Sequence, residues 1–210
     1  MAKQPRAGHT KTRLVPPLTM EQAASLYEAM LLDIVDRLVA RGDCDIAIAI
    51  DSAESAAWFD AAAPGIQHVV QRGVALGDRL DAVLMQCLDL GCDAAVAISS
   101  DSPDLPSAHV DAALALLVDD ATDIVLGPTE DGGYYLIGWK QRWAPVVTEV
   151  TMSTPEVLAD TLAIAEGLGA RVALAPTWYD VDDADDLARL RSGLDAAVLP
   201  RLAAAVDGLP

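Results

Sequence analysis

Short apolar runs and helical apolar repeats alternate along this chain. Tyr27, Met30, Leu31, Ile34, Val35 and Leu38 recur at helical spacing. Before them, Thr19-Met20-Glu21-Gln22 has the form of a capping box, and Gly42 after them is a helix stop. Residues 45–50 form a short apolar run that reads as a strand ending at Asp51. Residues 54–63 read as a helix closed by Pro64-Gly65, and 68–70 as a brief strand. A flexible loop, Gln71 to Gly77, leads into a helix over 78–90. The run Ala94-Ala95-Val96-Ala97-Ile98 suits a buried strand, followed by a helix over 108–118 and a strand over 123–126. Further on, Ser153-Thr154-Pro155-Glu156 caps a helix reaching about Gly167, and residues 171–174 read as a strand. A helix starts near Ala184, and the tail 194–206 is apolar on one side and reads as helical with a break near Pro200. Strands alternating with helices predict an α/β fold with a mostly parallel sheet and right-handed crossovers.

Composition narrows this picture without changing it. At 210 residues, the chain is long enough for one α/β domain with a full core, and two domains would be cramped, so residues 1–210 read as a single domain. Apolar residues make up 52%, which excludes general disorder, yet no apolar run reaches the length of a membrane span. The first fourteen residues are basic and polar, without the apolar stretch of a secretory signal. Cys44, Cys87 and Cys92 lack a zinc-like spacing. Together these features predict a cytoplasmic protein with no membrane partner.

Charge changes the picture more. A formal net charge of −18 argues against nucleic-acid binding. Residues 1–20 nevertheless hold Lys3, Arg6, Lys11 and Arg13 and no acid. A local cationic loop on an acidic chain points to a specific anion, although a plain basic terminus would have the same composition. Gly8 permits a tight turn in it. The Walker pattern is absent.

The candidate chemistry sits at strand ends, where open α/β sheets bind ligands. Asp101-Ser102-Pro103-Asp104 follows the Ala94 strand. Carboxylates on a turn stiffened by Pro103 and Pro106 suit a hard divalent cation, and equally suit a helix N-cap. After the strand at 123–126, Gly127-Pro128-Thr129-Glu130-Asp131-Gly132-Gly133-Tyr134 places acids and glycines before an aromatic strand. Asp131 suits a sugar or ribose hydroxyl, and Asp-Gly is also a hairpin signal. Asp180 and Asp182 alternate along an extended segment and share a face, whereas Asp183, Asp185 and Asp186 serve a helix N-terminus. His9, from its position in the basic loop, could touch a phosphate; His68 and His109 carry no assigned role, and the sequence offers no credible Ser-His-Asp or Cys-His set.

Four segments together resemble the bacterial DUF2064 family, also described as rSAM/selenodomain-associated transferase 1 or arsenosugar-biosynthesis-type glycosyltransferases. They are Ala2-Lys3-Gln4-Pro5 with Gly8 and Lys11-Thr12-Arg13-Leu14; Ser100 to Pro106; Gly127-Pro128 with Glu130 to Tyr134 and Gly138; and Asp180-Val181-Asp182 with Asp186-Leu187. The resemblance implies a three-layer, Rossmann-like GT-A fold, that of nucleotide-diphospho-sugar transferases. It implies that Lys3, Gly8, Lys11 and Arg13 contact nucleotide phosphates, with Gln71, Gly77 and Arg79 in a second glycine loop near base or donor. Asp101 and Asp104 would be metal-side acids, joined by Asp180 or Asp182, and Asp131 a donor or acceptor contact. The sequence departs from the family at Asp183-Ala184-Asp185, where Thr-Pro-Glu is usual. It also has only Met1 and Ala2 before Lys3, so the fold's first strand reads as missing, through a start assigned too late or a short form with a weakened sheet.

The expectation is therefore a transferase dependent on Mg²⁺ or Mn²⁺, moving a sugar from a nucleotide sugar to a small-molecule acceptor. Asp101, Asp104, Asp131 and Lys11 would carry the chemistry. A nucleotidyltransferase releasing pyrophosphate is the alternative, and a nucleotide-binding regulatory protein a third reading. The apolar tail leaves a homodimer open.

Overall fold

A computed structural model describes residues 1–209. The chain forms two compact units, one from residues 1–69, 100–104 and 180–210 and the other from 70–99 and 105–179.

The first unit opens with the basic loop, closed by a 3-10 turn at Thr12–Leu14 whose Leu14 is fully buried. Helix α1 (Met20–Arg41) follows, and its ends are the ones the sequence predicts. Thr19 and Gln22 exchange side-chain and backbone hydrogen bonds, and Gly42 takes the left-handed conformation that ends the helix. Its Leu26, Met30, Leu31 and Ile34 are buried. Strand β1 (Ala47–Ile50) pairs with β2 (Gln67–Val70), and a 3-10 turn at Ala53–Ser55 leads into α2 (Ala56–Ala62) between them. The expected helix over 54–63 is thus shorter and begins as a tighter turn. Ala2 makes a single parallel bridge to Ile50, donating to the Ala49 carbonyl at 2.8 Å.

The unit is completed by α7 (Ala184–Gly193) and α8 (Pro200–Asp207). Pro200 starts a helix instead of breaking one, because at the first position its missing N–H is not needed. Buried Asp33 of α1 accepts from the Leu202 backbone N–H at 2.9 Å and from the Arg201 N–H at 3.4 Å, so it caps α8 from another helix. The apolar tail that left a homodimer open is covered within the chain: Leu202 and Val206 are buried and α8 lies on α1.

The second unit holds α3 (Leu76–Asp89), β3 (Ala95–Ile98), α4 (Ser107–Val118), β4 (Ile124–Pro128), β5 (Tyr134–Trp139), α5 (Pro145–Thr148), α6 (Val157–Gly167) and β6 (Val172–Leu174). Its four-stranded sheet has the order β3-β5-β4-β6. One strand departs from the expected parallel run, since β3, β4 and β6 share a direction and β5 opposes them. The β4–β5 connection is a tight hairpin, so β5 runs antiparallel to both β4 and β3 while β4 and β6 are parallel. All of β4 is buried, as suits an apolar strand without polar alternation. Helix α4 packs its Val110, Ala113 and Leu117 against Val125, Tyr135 and Leu136.

A correction concerns α3. It begins at Leu76, not Asp78, because the Asp78 carboxylate accepts the Ala75 N–H at 3.1 Å. Gly77 therefore lies inside a helix rather than in a flexible loop. A Cβ there would stand 1.8 Å from the Val147 carbonyl oxygen, so glycine is what lets α3 and α5 approach. Among the described residues, no helix is long and apolar enough to cross a membrane.

Candidate functional site

The basic loop and the acidic turn meet within the first unit. Gly8, at φ 77°, turns the chain, and the His9 N–H closes the turn on the Arg6 carbonyl at 3.0 Å. Lys11 then adopts a left-handed backbone, φ 48° and ψ 41°, one of two non-glycine residues with positive φ among those described. Such a residue costs about 1–3 kcal/mol and persists where surrounding contacts over-determine it. Its carbonyl accepts the Leu14 N–H at 3.0 Å, and its side chain, only 4% exposed, is held by acids. Lys11 Nζ pairs with Asp101 Oδ1 and, at 3.1 Å, with Asp182 Oδ1. Arg13 Nη1 reaches the other oxygen of Asp182 at 3.4 Å, with its own side chain 76% exposed.

Each acid is held from behind. Helix α4 starts at Ser107 with no side-chain cap, so the Asp101 turn is not the N-cap that its composition allowed. It is gripped instead by α1. Tyr27 Oη lies 2.8 Å from Ser100 Oγ and accepts the Lys3 backbone N–H at 3.1 Å; Arg37 Nη1 donates to the Pro103 carbonyl at 2.6 Å. The Val181 N–H donates to the Asp101 carbonyl at 2.8 Å, tying the turn to the Asp180–Asp182 segment. Asp183 and Asp186 form the capping box of α7, as expected, and Asp186 also accepts the Asp182 N–H at 3.0 Å. A helix start thus orients the acid just before it. Ser102 Oγ donates to Asp180 Oδ1 at 2.5 Å.

The electrostatics follow from this crowding. Burial pushes the Asp180 carboxyl up to about 6, against Ser102's hydrogen bond and with help from Asp101 and Asp182. Burial works against the charge on Lys11, but Asp101 and Asp182 outweigh it and hold the ammonium above its ordinary value. Burial, then Asp101, raises the Tyr27 phenol.

Of the residues singled out in the sequence, Lys11, Arg13, Asp101, Asp180 and Asp182 come together. Asp104 acts electrostatically on Arg37 of α1. Lys3 enters through its backbone N–H, its side chain being exposed. Gln71, Gly77, Arg79 and Asp131 belong to the second unit. There Arg79 holds its own loop, donating to the Gly73 and Val74 carbonyls at 3.2 Å, and Gly77 makes the close packing described above. Asp131 Oδ1 braces the β4–β5 hairpin, accepting from Thr129 Oγ1 at 2.5 Å and the Gly133 N–H at 3.1 Å. His109 packs edge-on against Trp178 at 5.2 Å between ring centroids, a structural role. The sequence pattern gives Tyr27 only as a helical residue and assigns Arg37 no part in the site. The available signal was a phenol on a buried helical face, which must find a partner.

Asp101 and Asp182 offer hard oxygen donors, the chemistry that Mg²⁺ and Mn²⁺ prefer, and both point at one place. That place holds the Lys11 ammonium. Among the described residues, no group of three or more Asp, Glu, His or Cys side chains is arranged to hold an ion. Two carboxylates are the share a protein commonly gives Mg²⁺ when a substrate's phosphates supply the rest, and the lysine fills the position between them.

The fold is that of the nucleotide-diphospho-sugar transferases. A crystal structure from Desulfovibrio desulfuricans G20, described provisionally as a nucleotide-diphospho-sugar transferase, matches with a TM-score of 0.86 at 30% identity, over 98% of this chain and 94% of that one. A CMP:2-keto-3-deoxy-manno-octonic acid synthetase complexed with CTP has the same general fold, with a TM-score of 0.54 at 15% identity over 78% of this chain and 86% of that one. The chain belongs to the family DUF2064, described as uncharacterized proteins conserved in bacteria, whose pattern matches residues 34–154. No curated protein matches it.

Proposed function

We propose that this protein is a metal-dependent transferase acting on a nucleotide-diphosphate substrate, and specifically a glycosyltransferase that uses a nucleotide sugar, of the rSAM-associated, arsenosugar-biosynthesis type. The observation that carries this reading is the meeting of Lys11 with Asp101 and Asp182, which sets cations and hard anionic oxygens side by side. The likeness to a provisional nucleotide-diphospho-sugar transferase at 30% identity supports the substrate class.

In glycosyl transfer the bond from the sugar's anomeric carbon to the diphosphate breaks and a bond to an acceptor hydroxyl forms. The diphosphate leaves with added negative charge, and groups aimed at that charge lower the barrier. Lys11, Arg13 and the exposed Lys3 are the cations proposed to meet it, with Gly8 letting the backbone come close. Asp101 and Asp182 would hold Mg²⁺ or Mn²⁺, which when bound supplies Lewis-acid stabilisation of the leaving phosphate. Asp104 and Asp180 would support them from the same segments, and Asp131 would offer its second oxygen to a sugar or acceptor hydroxyl. Gln71, Gly77 and Arg79 would shape the base or donor side through the loop that Arg79 braces. The acceptor is a small molecule, and the setting is cytoplasmic.

Nucleotidyl transfer is the second reading, favoured by the surplus of exposed cations. Arg13 and Lys3 are exposed to solvent, which suits the larger charge of a triphosphate.

One experiment tests the class and its product separates the readings. A thermal-shift panel of nucleotides and nucleotide sugars, with and without Mn²⁺, is expected to raise the melting temperature for one base by mass action. Turnover then yields free nucleoside diphosphate from a nucleotide sugar, or pyrophosphate from a triphosphate. A panel without any stabilising nucleotide removes both readings.

A further inference from the structure

Building on the metal-dependent reading above, we propose that Lys11 and the divalent cation take turns on the Asp101–Asp182 pair. The lysine ammonium keeps the pair closed in the free protein, and a substrate phosphate draws it off.

The geometry leaves no room for both. Lys11 Nζ contacts Oδ1 of Asp101 and lies 3.1 Å from Oδ1 of Asp182, so the two oxygens face a single point. A magnesium ion binds such oxygens at about 2.1 Å. An ion there would collide with the ammonium and meet its charge at contact distance. Like charges that close, in a site where water screens them little, repel strongly.

Emptying the pair is equally unfavourable. Asp101, Asp180 and Asp182 act on one another and on Lys11, and withdrawing the lysine alone would leave the acids facing each other. The low-cost route is an exchange. The ammonium passes from two carboxylates to a phosphate, and the carboxylates pass from an ammonium to a divalent ion. Charge stays balanced throughout, and no covalent bond changes. The buried side chain belongs to a loop residue with a left-handed backbone. Arg13, on the far oxygen of Asp182 and largely exposed, is placed to stay with the acid or follow the phosphate. Nucleotide and metal then bind cooperatively, each removing the other's obstacle.

The test is Mn²⁺ binding by the full chain without nucleotide, followed as loss of the free-ion paramagnetic resonance signal. Lys11→Met is expected to bind Mn²⁺ about tenfold tighter or better than the wild type, the order that removing a nearby like charge brings. Lys11→Arg keeps the charge and is expected to bind no tighter than the wild type. Lys11→Gln, which retains a polar head, repeats the measurement should the methionine variant fail to fold. Equal or weaker Mn²⁺ binding by the uncharged variants, in a protein whose nucleotide shift still needs Mn²⁺, overturns the exchange and leaves the transferase reading standing. Absence of Mn²⁺ binding in every variant, with or without a stabilising nucleotide, overturns both.

Discussion

Lys11 and Asp180 are the residues where local preference and environment disagree most. A lysine with a left-handed backbone is held at its carbonyl by the Leu14 N–H and at its buried ammonium by acids. Asp180 shows the complementary cost. Burial pushes its carboxyl up to about 6, well above the ordinary 3.8. The folded state therefore binds its proton more tightly than the unfolded state does. The favourable contribution is complete below about 4 and disappears as pH rises through about 6. Asp180→Asn removes the charge and can still accept from Ser102. It is expected to match the wild type below pH 4 and to exceed it by roughly 1–3 kcal/mol above pH 7. Chemical denaturation at the two pH values checks this. A variant less stable than the wild type at pH 7 would mean that Asp180 gains more from its neighbours than it loses by burial.

Among the elements, α8 depends on a cap that lies outside its own sequence. Asp33, 1% exposed on α1, takes the Arg201 and Leu202 N–H groups and a 3.3 Å contact from the Arg201 guanidinium. Asp33→Ala strands those buried donors, and a loss of about 2 kcal/mol is expected in urea unfolding. A loss under about 0.5 kcal/mol would show that apolar packing alone holds α8. This cap also marks where sequence reading stops. The Thr19–Gln22 and Asp183–Asp186 boxes are legible because both partners lie within one turn of helix. Asp33 and Leu202 are not, since 169 positions separate them. The same holds for Gly77, which looks like a loop glycine until Val147 is brought against it. The antiparallel β5 is half legible. Asp131-Gly132 announces a hairpin, but nothing local tells that its return strand inserts beside β3. At the site, the meeting of Lys11 and Arg13 with Asp101, Asp180 and Asp182 is legible as a resemblance, whereas Gln71, Gly77, Arg79 and Asp131 belong to the other unit. The direct pairing of Lys11 with the acids, in the position assigned to a metal, is not legible, because only the fold brings those charges to one point.

At the scale of the whole molecule, the units are interleaved along the chain. The first is built from residues 1–69, 100–104 and 180–210. Its acidic turn is a five-residue visit between long stretches of the second unit, and its final segment supplies Asp180 and Asp182. The net charge of −18 sets the context, for the basic loop works against the sign of the rest of the chain. Lys11 and Asp182 stand 171 positions apart. A ribosome adding about 5–20 residues per second would release them on the order of ten seconds or more apart. Through that interval the nascent lysine has no Asp182 to meet, and the turn at Asp101 has no Val181 to hold its carbonyl. A chain stopped at Tyr179 is therefore expected to exchange the amide hydrogens of residues 100–104 much faster than the finished protein; equal protection would mean that the turn is shaped by α1 alone. What translation makes first here is finished last.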